Sequence, residues 1–209
     1  TPVCEDGRVV DYDKYFTQGL EHLKAEGNYR TFADLQRIAG EFPRAYNHAD
    51  GDRREVLVWC SNDYLCMGQH PDVIAAMQGA AETYGAGAGG TRNIAGTHHH
   101  IVLLEEELAS LHDKEAALVF TSGWVANMTT LCTLGQRIPN AVIISDSLNH
   151  NSMIEGIRAG RCGKVIWRHN DVEHLRELLS SLPYEQPKVV AFESVYSMDG
   201  DIAPIAEIL

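Results

Sequence analysis

With 209 residues, 44% of them hydrophobic, the chain is long enough to bury one large core or a domain and a half. Its net charge of −12 excludes nucleic acid as the main partner, because binding phosphates needs Lys and Arg clusters that the sequence lacks. An anionic small molecule stays open, since a few local cations in a cleft override global charge. Five cysteines (Cys4, Cys60, Cys66, Cys132 and Cys162) are an odd number with no C-x-x-C, which points to a reducing compartment; the cytoplasm of a bacterium is preferred over the mitochondrial matrix of a eukaryote.

The amino-terminal TPVCEDGRVVDYDKYF is neither a signal peptide nor a basic transit peptide, and no apolar run approaches a membrane span, so a soluble chain is expected. The first 40 residues read as helical: DYDKYF leads into Leu20 and Leu23 and, after Gly27, into Phe32, Leu35 and Ile38. NHADGDRR, residues 47–54, reads as a polar linker. In HPDVIAAMQGAAETY, the residues Val73, Ile74, Met77, Ala80, Ala81 and Tyr84 fall at helical spacing. Pro71 then lies early in the helix and Gly85 past its end.

The stretch that follows, GAGAGGTRNIAGTHHH, contains G-x-G-x-x-G at Gly85, Gly87 and Gly90. A dinucleotide-binding turn of that spacing requires a strand before it and an acidic residue closing a strand about 20 positions on. A helix precedes it here, and Glu105, Glu106 and Glu107 lie in another helix-like run, so that reading is set aside. The three histidines His98 to His100 would point in different directions from a helix, whereas metal ligands on a helix need a spacing of three or four. They read as surface residues of a helix start, and no metal is expected.

From Lys114 onward the pattern changes: AALVF, AVIIS, KVIWR and KVVAF read as strands. They alternate with helical runs at Trp124 to Leu134, Ser152 to Ala159 and Val172 to Leu182. Such alternation predicts an α/β fold, a mainly parallel sheet with helices on both faces. Ligands of such sheets bind beyond the carboxyl ends of the strands. After AALVF, Thr121, Ser122 and Gly123 open a helix, where free amides and hydroxyls suit a phosphate, though an ordinary Ser/Thr cap would look the same. After AVIIS, His150 falls at a helix start. After KVVAF, Glu193, Ser197 and Asp199 crowd into a loop turned by Asp199 and Gly200.

In this order and spacing, CSNDYL, GAGAGGTRNIAGT, EAALVFTSGWVAN, SDSLNHNSMIEGIR, RHNDVEHL and FESVYSMDGD resemble the first half of a pyridoxal-phosphate-dependent α-oxoamine synthase. The resemblance runs from about Asp11 to Leu209. It implies a fold-type I pyridoxal 5'-phosphate (PLP) transferase, aspartate aminotransferase-like and truncated. Residues 1–55 would be an amino-terminal helical segment and linker, and residues 56–209 the first part of the large PLP-binding domain. The resemblance is strongest to the branch that condenses glycine with succinyl-CoA, releasing CoA and CO2, at the first step of haem and tetrapyrrole synthesis.

Carried over by position, the resemblance implies that His150 stacks on the pyridine ring as the catalytic histidine. Ser122 and the amides of Gly123 and Trp124 would hold the cofactor phosphate, and Glu193 and Ser197 would approach the ring substituents. Asn62 would face the glycine carboxylate, Thr91, Asn93 and Arg30 the acyl carboxylate, and Ser145 and Lys164 the CoA. Taken without the family, Arg30 reads as a solvated charge and Lys164 as a lone lysine opening a strand. An acyl-CoA without a terminal carboxylate would leave Arg30 unpaired, which favours succinyl over acetyl or long-chain donors.

The family's Schiff-base lysine and pyridine-nitrogen aspartate are expected beyond Leu209, so the isolated chain is expected to be inactive. A homodimer with shared sites is implied, completed by the missing carboxyl-terminal half, with no nucleic-acid or membrane partner. Two departures stand out: Cys66 where the family usually has glycine, and Ala95 in place of a frequent serine. A relative using another acyl-CoA, and a non-catalytic half-enzyme interaction module, are the alternatives.

Overall fold

The computed structural model describes residues 10–209; the amino-terminal stretch assessed for targeting signals lies largely outside them, and Cys4 entirely so. Packing divides the chain into two compact units, Thr1–Gly87 and Ala88–Leu209.

In the first unit, helix α1 (Tyr12–Ala25) starts at Asp11, whose carboxylate accepts the amide of Lys14 at 2.9 Å. Its apolar residues Tyr15, Phe16, Leu20 and Leu23 remain exposed. The helical expectation fails beyond it. Leu35–Arg37 (β1), Arg44–Asn47 (β2) and Arg54–Leu57 (β3) form an antiparallel sheet in the order β1-β2-β3. The reason is visible in β2, where Ala45 is buried opposite Val56 while Arg44 is exposed and pairs with Glu55 at 3.3 Å. Neighbouring side chains thus point to opposite faces, as in a strand, and Leu35 and Ile38 mimic a helical spacing only by chance. The NHADGDRR stretch is the β2–β3 connection. Helix α2 (Pro71–Tyr84) matches the sequence reading, with Pro71 in its first turn and Gly85 as cap at φ +81°. No strand precedes the glycine-rich turn, so the dinucleotide fingerprint has no structural basis.

Cys66 adopts the left-handed conformation, φ 58° and ψ 20°. A side chain there costs about 1 kcal/mol, and glycine escapes it. Cys66→Gly is therefore expected to raise unfolding stability by about 1 kcal/mol in thermal or urea denaturation. An unchanged midpoint would show that the turn carries no strain.

The second unit begins with α3 (His99–Leu111), capped by His98. It continues through α4 (Gly123–Arg137), β4 (Val142–Asp146), α5 (Asn151–Gly160), β5 (Gly163–Trp167), α6 (Val172–Ser181), β6 (Lys188–Ala191) and the short α7 (Ile205–Ile208). The strands are parallel, in the order β5-β4-β6. Side chains on alternate residues of β4 point to opposite faces. Ile143 packs with Leu131 of α4 and with Met153 and Ile157 of α5, while Ile144 packs with Trp167 and with Leu175 of α6. Helices α4 and α5 meet closely because α5 presents Gly156, where a Cβ would lie 2.7 Å from the Met128 carbonyl oxygen.

Three of the four expected strands are present; AALVF is not one. Side chains instead take the backbone groups of Val119, its amide donating to Glu105 at 2.7 Å and its carbonyl accepting from Arg92 at 3.0 Å. Among the described residues, no helix is long and apolar enough to cross a membrane, and no group of His, Cys, Asp or Glu is arranged to hold a metal ion.

Candidate functional site

The carboxyl ends of β4 and β6 and the start of α4 form the centre of the second unit's polar edge. Ser122 caps α4 by accepting the amide of Val125 at 3.2 Å. The amides of Gly123 and Trp124 find no acceptor among the described residues, and a Cβ on Gly123 would meet nothing within 4 Å. Two free amides at the positive end of a 15-residue helix, beside open space, present donors that an anion can accept.

The ring of His150 stands edge-on to Trp124, with centroids 5.8 Å apart and planes at 80°. Its orientation is fixed from below. Nδ1 accepts the amide of Ser152 at 3.2 Å and lies 2.7 Å from the Ser152 hydroxyl, which in turn accepts from Asn127 at 3.1 Å. With Nδ1 engaged by Ser152, the ring is held in one orientation and presents a flat face. The backbone amide of His150 donates to the Glu193 carboxylate at 2.5 Å, which ties the β4–α5 turn to the end of β6. Thus Ser122, Gly123, Trp124, His150 and Glu193 are brought together. Ser197 is exposed in the following hairpin, where Gly200 at φ +75° closes the predicted turn by donating to the Tyr196 carbonyl.

Ser145 and Lys164 line one cleft of about 210 Å3. Sequence reading missed its other walls, Ile154, Ile157 and Arg158 of α5 and Ile166 of β5. The register that pairs Ile143 with Lys164 and Ser145 with Ile166 sets these residues on one sheet face. Asn149 was also missed. Buried, it donates to the Ser145 hydroxyl at 3.0 Å and to the Ala191 carbonyl at 2.8 Å, so it orients Ser145 and couples β4 to β6.

Thr91 and Asn93 are exposed on a single π-turn, Arg92–Gly96, in which the Thr91 carbonyl accepts the amide of Gly96 at 2.8 Å. The residue between them is the structural one. Arg92 grips Glu105 bidentately, at 2.6 and 2.9 Å, and so fastens the turn to α3. In the first unit Arg30 is exposed after α1, and Asn62 is exposed beside Ser61 and Arg37 in a second cleft.

The bonds from Arg92 and then from the Val119 amide hold the Glu105 carboxyl down at about 2, against an ordinary 4.5. A depressed folded value means that this contribution to stability is complete above about pH 4.5 and is lost as pH falls towards 2. Glu105→Gln should therefore lower the melting temperature at pH 6 and flatten its decline between pH 5 and 2. A variant whose decline parallels the parent would show that the pair does not couple to folding.

The family model for aminotransferase class I and II matches residues 54–209. The chain is 58% identical over 200 residues to 5-aminolevulinate synthase 2 of Cereibacter sphaeroides, covering 95% of this chain and 49% of that one. It is 52% identical over 208 residues to the mitochondrial 5-aminolevulinate synthase of Emericella nidulans, covering 100% of this chain and 32% of that protein. Among solved structures, SPT with PLP superposes with a TM-score of 0.79 at 30% identity, over 96% of this chain and 49% of that one. The chain thus spans about half the length of the bacterial relatives that it matches.

Proposed function

The chain belongs to the aminotransferase class I and II family, and from that membership we propose that it is the amino-terminal half of a 5-aminolevulinate synthase. The enzyme joins glycine to succinyl-CoA and releases CoA and CO2. Residues 1–55 are its leading segment, and residues 56–209 are the first part of its PLP-binding domain. The observation that carries the reading is the convergence of Gly123, Trp124, His150 and Glu193 at one sheet edge, in a chain 58% identical to a named synthase.

The residues present fit PLP. The open amides of Gly123 and Trp124, with Ser122, offer a cradle for its phosphate, and the ring of His150 offers a flat face for its pyridine. When bound, PLP supplies an electron sink for chemistry at the glycine α-carbon. The protein contributes position. Glu193 fixes the backbone of His150, Asn127 and Ser152 fix its ring, and Ser197 would face the cofactor's ring oxygen. In the first unit, Asn62 would take the glycine carboxylate and Arg30 the succinyl carboxylate; in the second, Thr91 and Asn93 would offer polar groups to the acyl chain. Lys164, Ser145 and the newly seen Arg158 take the CoA along the α5 cleft. The Schiff-base lysine and the aspartate at the pyridine nitrogen come from the half of the enzyme that this chain does not span. The assembly is a homodimer. Its compartment is the cytoplasm in a bacterium, and the fungal relative bears a mitochondrial name.

A panel of acyl-CoA thioesters offered with glycine to the full-length protein tests the proposal. Succinyl-CoA should turn over at least about 10²-fold more efficiently than acetyl-CoA, and Arg30→Leu should erase most of that ratio. Equal use of acetyl or long-chain thioesters would assign the chain to another branch.

A further inference from the structure

A second polar cluster lies at the same strand ends, on the opposite sheet face from the α5 cleft. Asp146 closes β4 with its side chain fully buried, 0% exposed. It accepts from the amides of Leu148 at 2.8 Å and Asn170 at 3.1 Å, and from His169 Nδ1 at 2.8 Å. The other nitrogen of the same ring, Nε2, lies 2.6 Å from Asp201, which also accepts from the Asn170 side chain at 2.8 Å. A neutral imidazole has one N–H and could satisfy one carboxylate only. With a carboxylate on each side, the ring holds both protons and is a cation.

We propose that His169 is a positioning residue, an imidazolium clamp that pins the Val195–Ile202 hairpin to the end of β4 and so sets Ser197 and Glu193 against His150. Four contacts support it. The Tyr196 ring packs edge-on against His169 with centroids 4.4 Å apart. The hairpin closes through the amides of Tyr196, to Asp201, and of Gly200, to Tyr196. On the other side, the bond from Asp146 to the Leu148 amide shapes the turn that delivers His150. One charge therefore holds both polypeptide segments that frame the site. The role in framing a cofactor rests on the function proposed above; the clamp itself does not.

The groups facing His169 are Asp146 from β4, and Asp201 and Tyr196 from the hairpin; Asn170 beside it is neutral. Asp146 first, and then Asp201, raise the histidine above its ordinary value against the opposing effect of burial, and His169 in turn lowers Asp201. Burial pushes Tyr196 up to about 12, so it stays neutral throughout the relevant range. Because the folded ring keeps its proton more tightly than the unfolded one, the clamp is complete below the ordinary histidine value of 6.5. It loosens as pH rises through the elevated one.

Amide hydrogen exchange at Tyr196 and Gly200 in the full-length protein tests the clamp, read as protection factors across pH 6 to 9. The parent should be protected at pH 6 and lose protection as pH rises. His169→Gln should lose about ten-fold or more at pH 6, the scale of one charge-assisted hydrogen bond, and show no further pH dependence. Asp201→Asn, whose side chain is 40% exposed and tolerates change, should shift the loss to lower pH, which guards against His169→Gln failing to fold. Protection that is independent of pH in the parent and preserved in both variants would overturn the clamp. PLP affinity, measured by dialysis on the same samples, tests the positioning. Unchanged affinity in an unclamped variant overturns that role. A parent that binds no PLP overturns the functional reading and the positioning with it, while exchange alone still judges the clamp.

Discussion

In the full-length protein, His150→Ala is expected to lower kcat/KM for glycine and succinyl-CoA by about 10²-fold, the scale of losing an oriented reactive geometry. The expectation follows from how thoroughly this ring is constrained. Ser152 holds Nδ1, Asn127 holds Ser152, Glu193 holds the backbone, and Trp124 limits the edge. Loss of a stacking face accounts for only about ten-fold in cofactor affinity, so most of the deficit should appear in kcat once PLP is saturating. His150→Phe separates the two effects. It restores a face but leaves Ser152 without its acceptor, so it should recover PLP affinity and little of kcat. Full activity in His150→Ala would remove this histidine from the machinery.

Gly96→Ala is expected to cost about 3 kcal/mol or more of stability, beyond the usual range for an added methyl in a packed region. The added Cβ would lie 1.9 Å from the Gly90 carbonyl oxygen and 2.8 Å from the Thr91 carbonyl carbon. Both obstacles are backbone, so no side-chain rotation relieves them. The π-turn would have to open, and with it would go the placement of Arg92 against Glu105 and of Thr91 and Asn93 on their exposed rim. Gly79→Ala is the contrasting case. Its Cβ meets nothing within 4 Å in the middle of α2, and it should stabilise by about 1 kcal/mol through helix propensity. Denaturation midpoints for the two variants should therefore move in opposite directions.

What the sequence disclosed, and what it hid, follows from the range of the interactions involved. Helix α2 announced itself through Pro71, Gly85 and a clear 3.6 period, all local features. The α/β alternation after Lys114 was equally legible, since buried parallel strands read as short apolar runs. AALVF misled because composition signals extended backbone, whereas strand pairing depends on a neighbour. Here Glu105 and Arg92, 14 and 27 residues away in sequence, bind the Val119 backbone instead. The amino-terminal sheet was missed because its strands are three or four residues long, too short for alternation to outweigh a chance helical spacing.

The residues proposed to face the cofactor are recognisable only as a set of motifs, because a capping serine or a lone histidine carries no distinctive local signal. Arg92, Asn149, Arg158 and His169 escaped notice for a related reason. Asn149 and His169 act through partners brought together by the parallel crossover, Arg92 through Glu105 and Val119, and Arg158 lies in a cleft that only the packed α5 and β5 create. The only hint in sequence was that a buried aspartate at the end of AVIIS must find donors somewhere.

Hydrogen exchange at the first turn of α4 in the full-length protein, with and without PLP, bears most directly on the central claim. The account predicts that PLP slows exchange at Gly123 and Trp124, whose amides have no protein acceptor, while the amides of α1 exchange as before. Exchange at residues 123 and 124 that ignores PLP, or slowing confined to other segments, would contradict it.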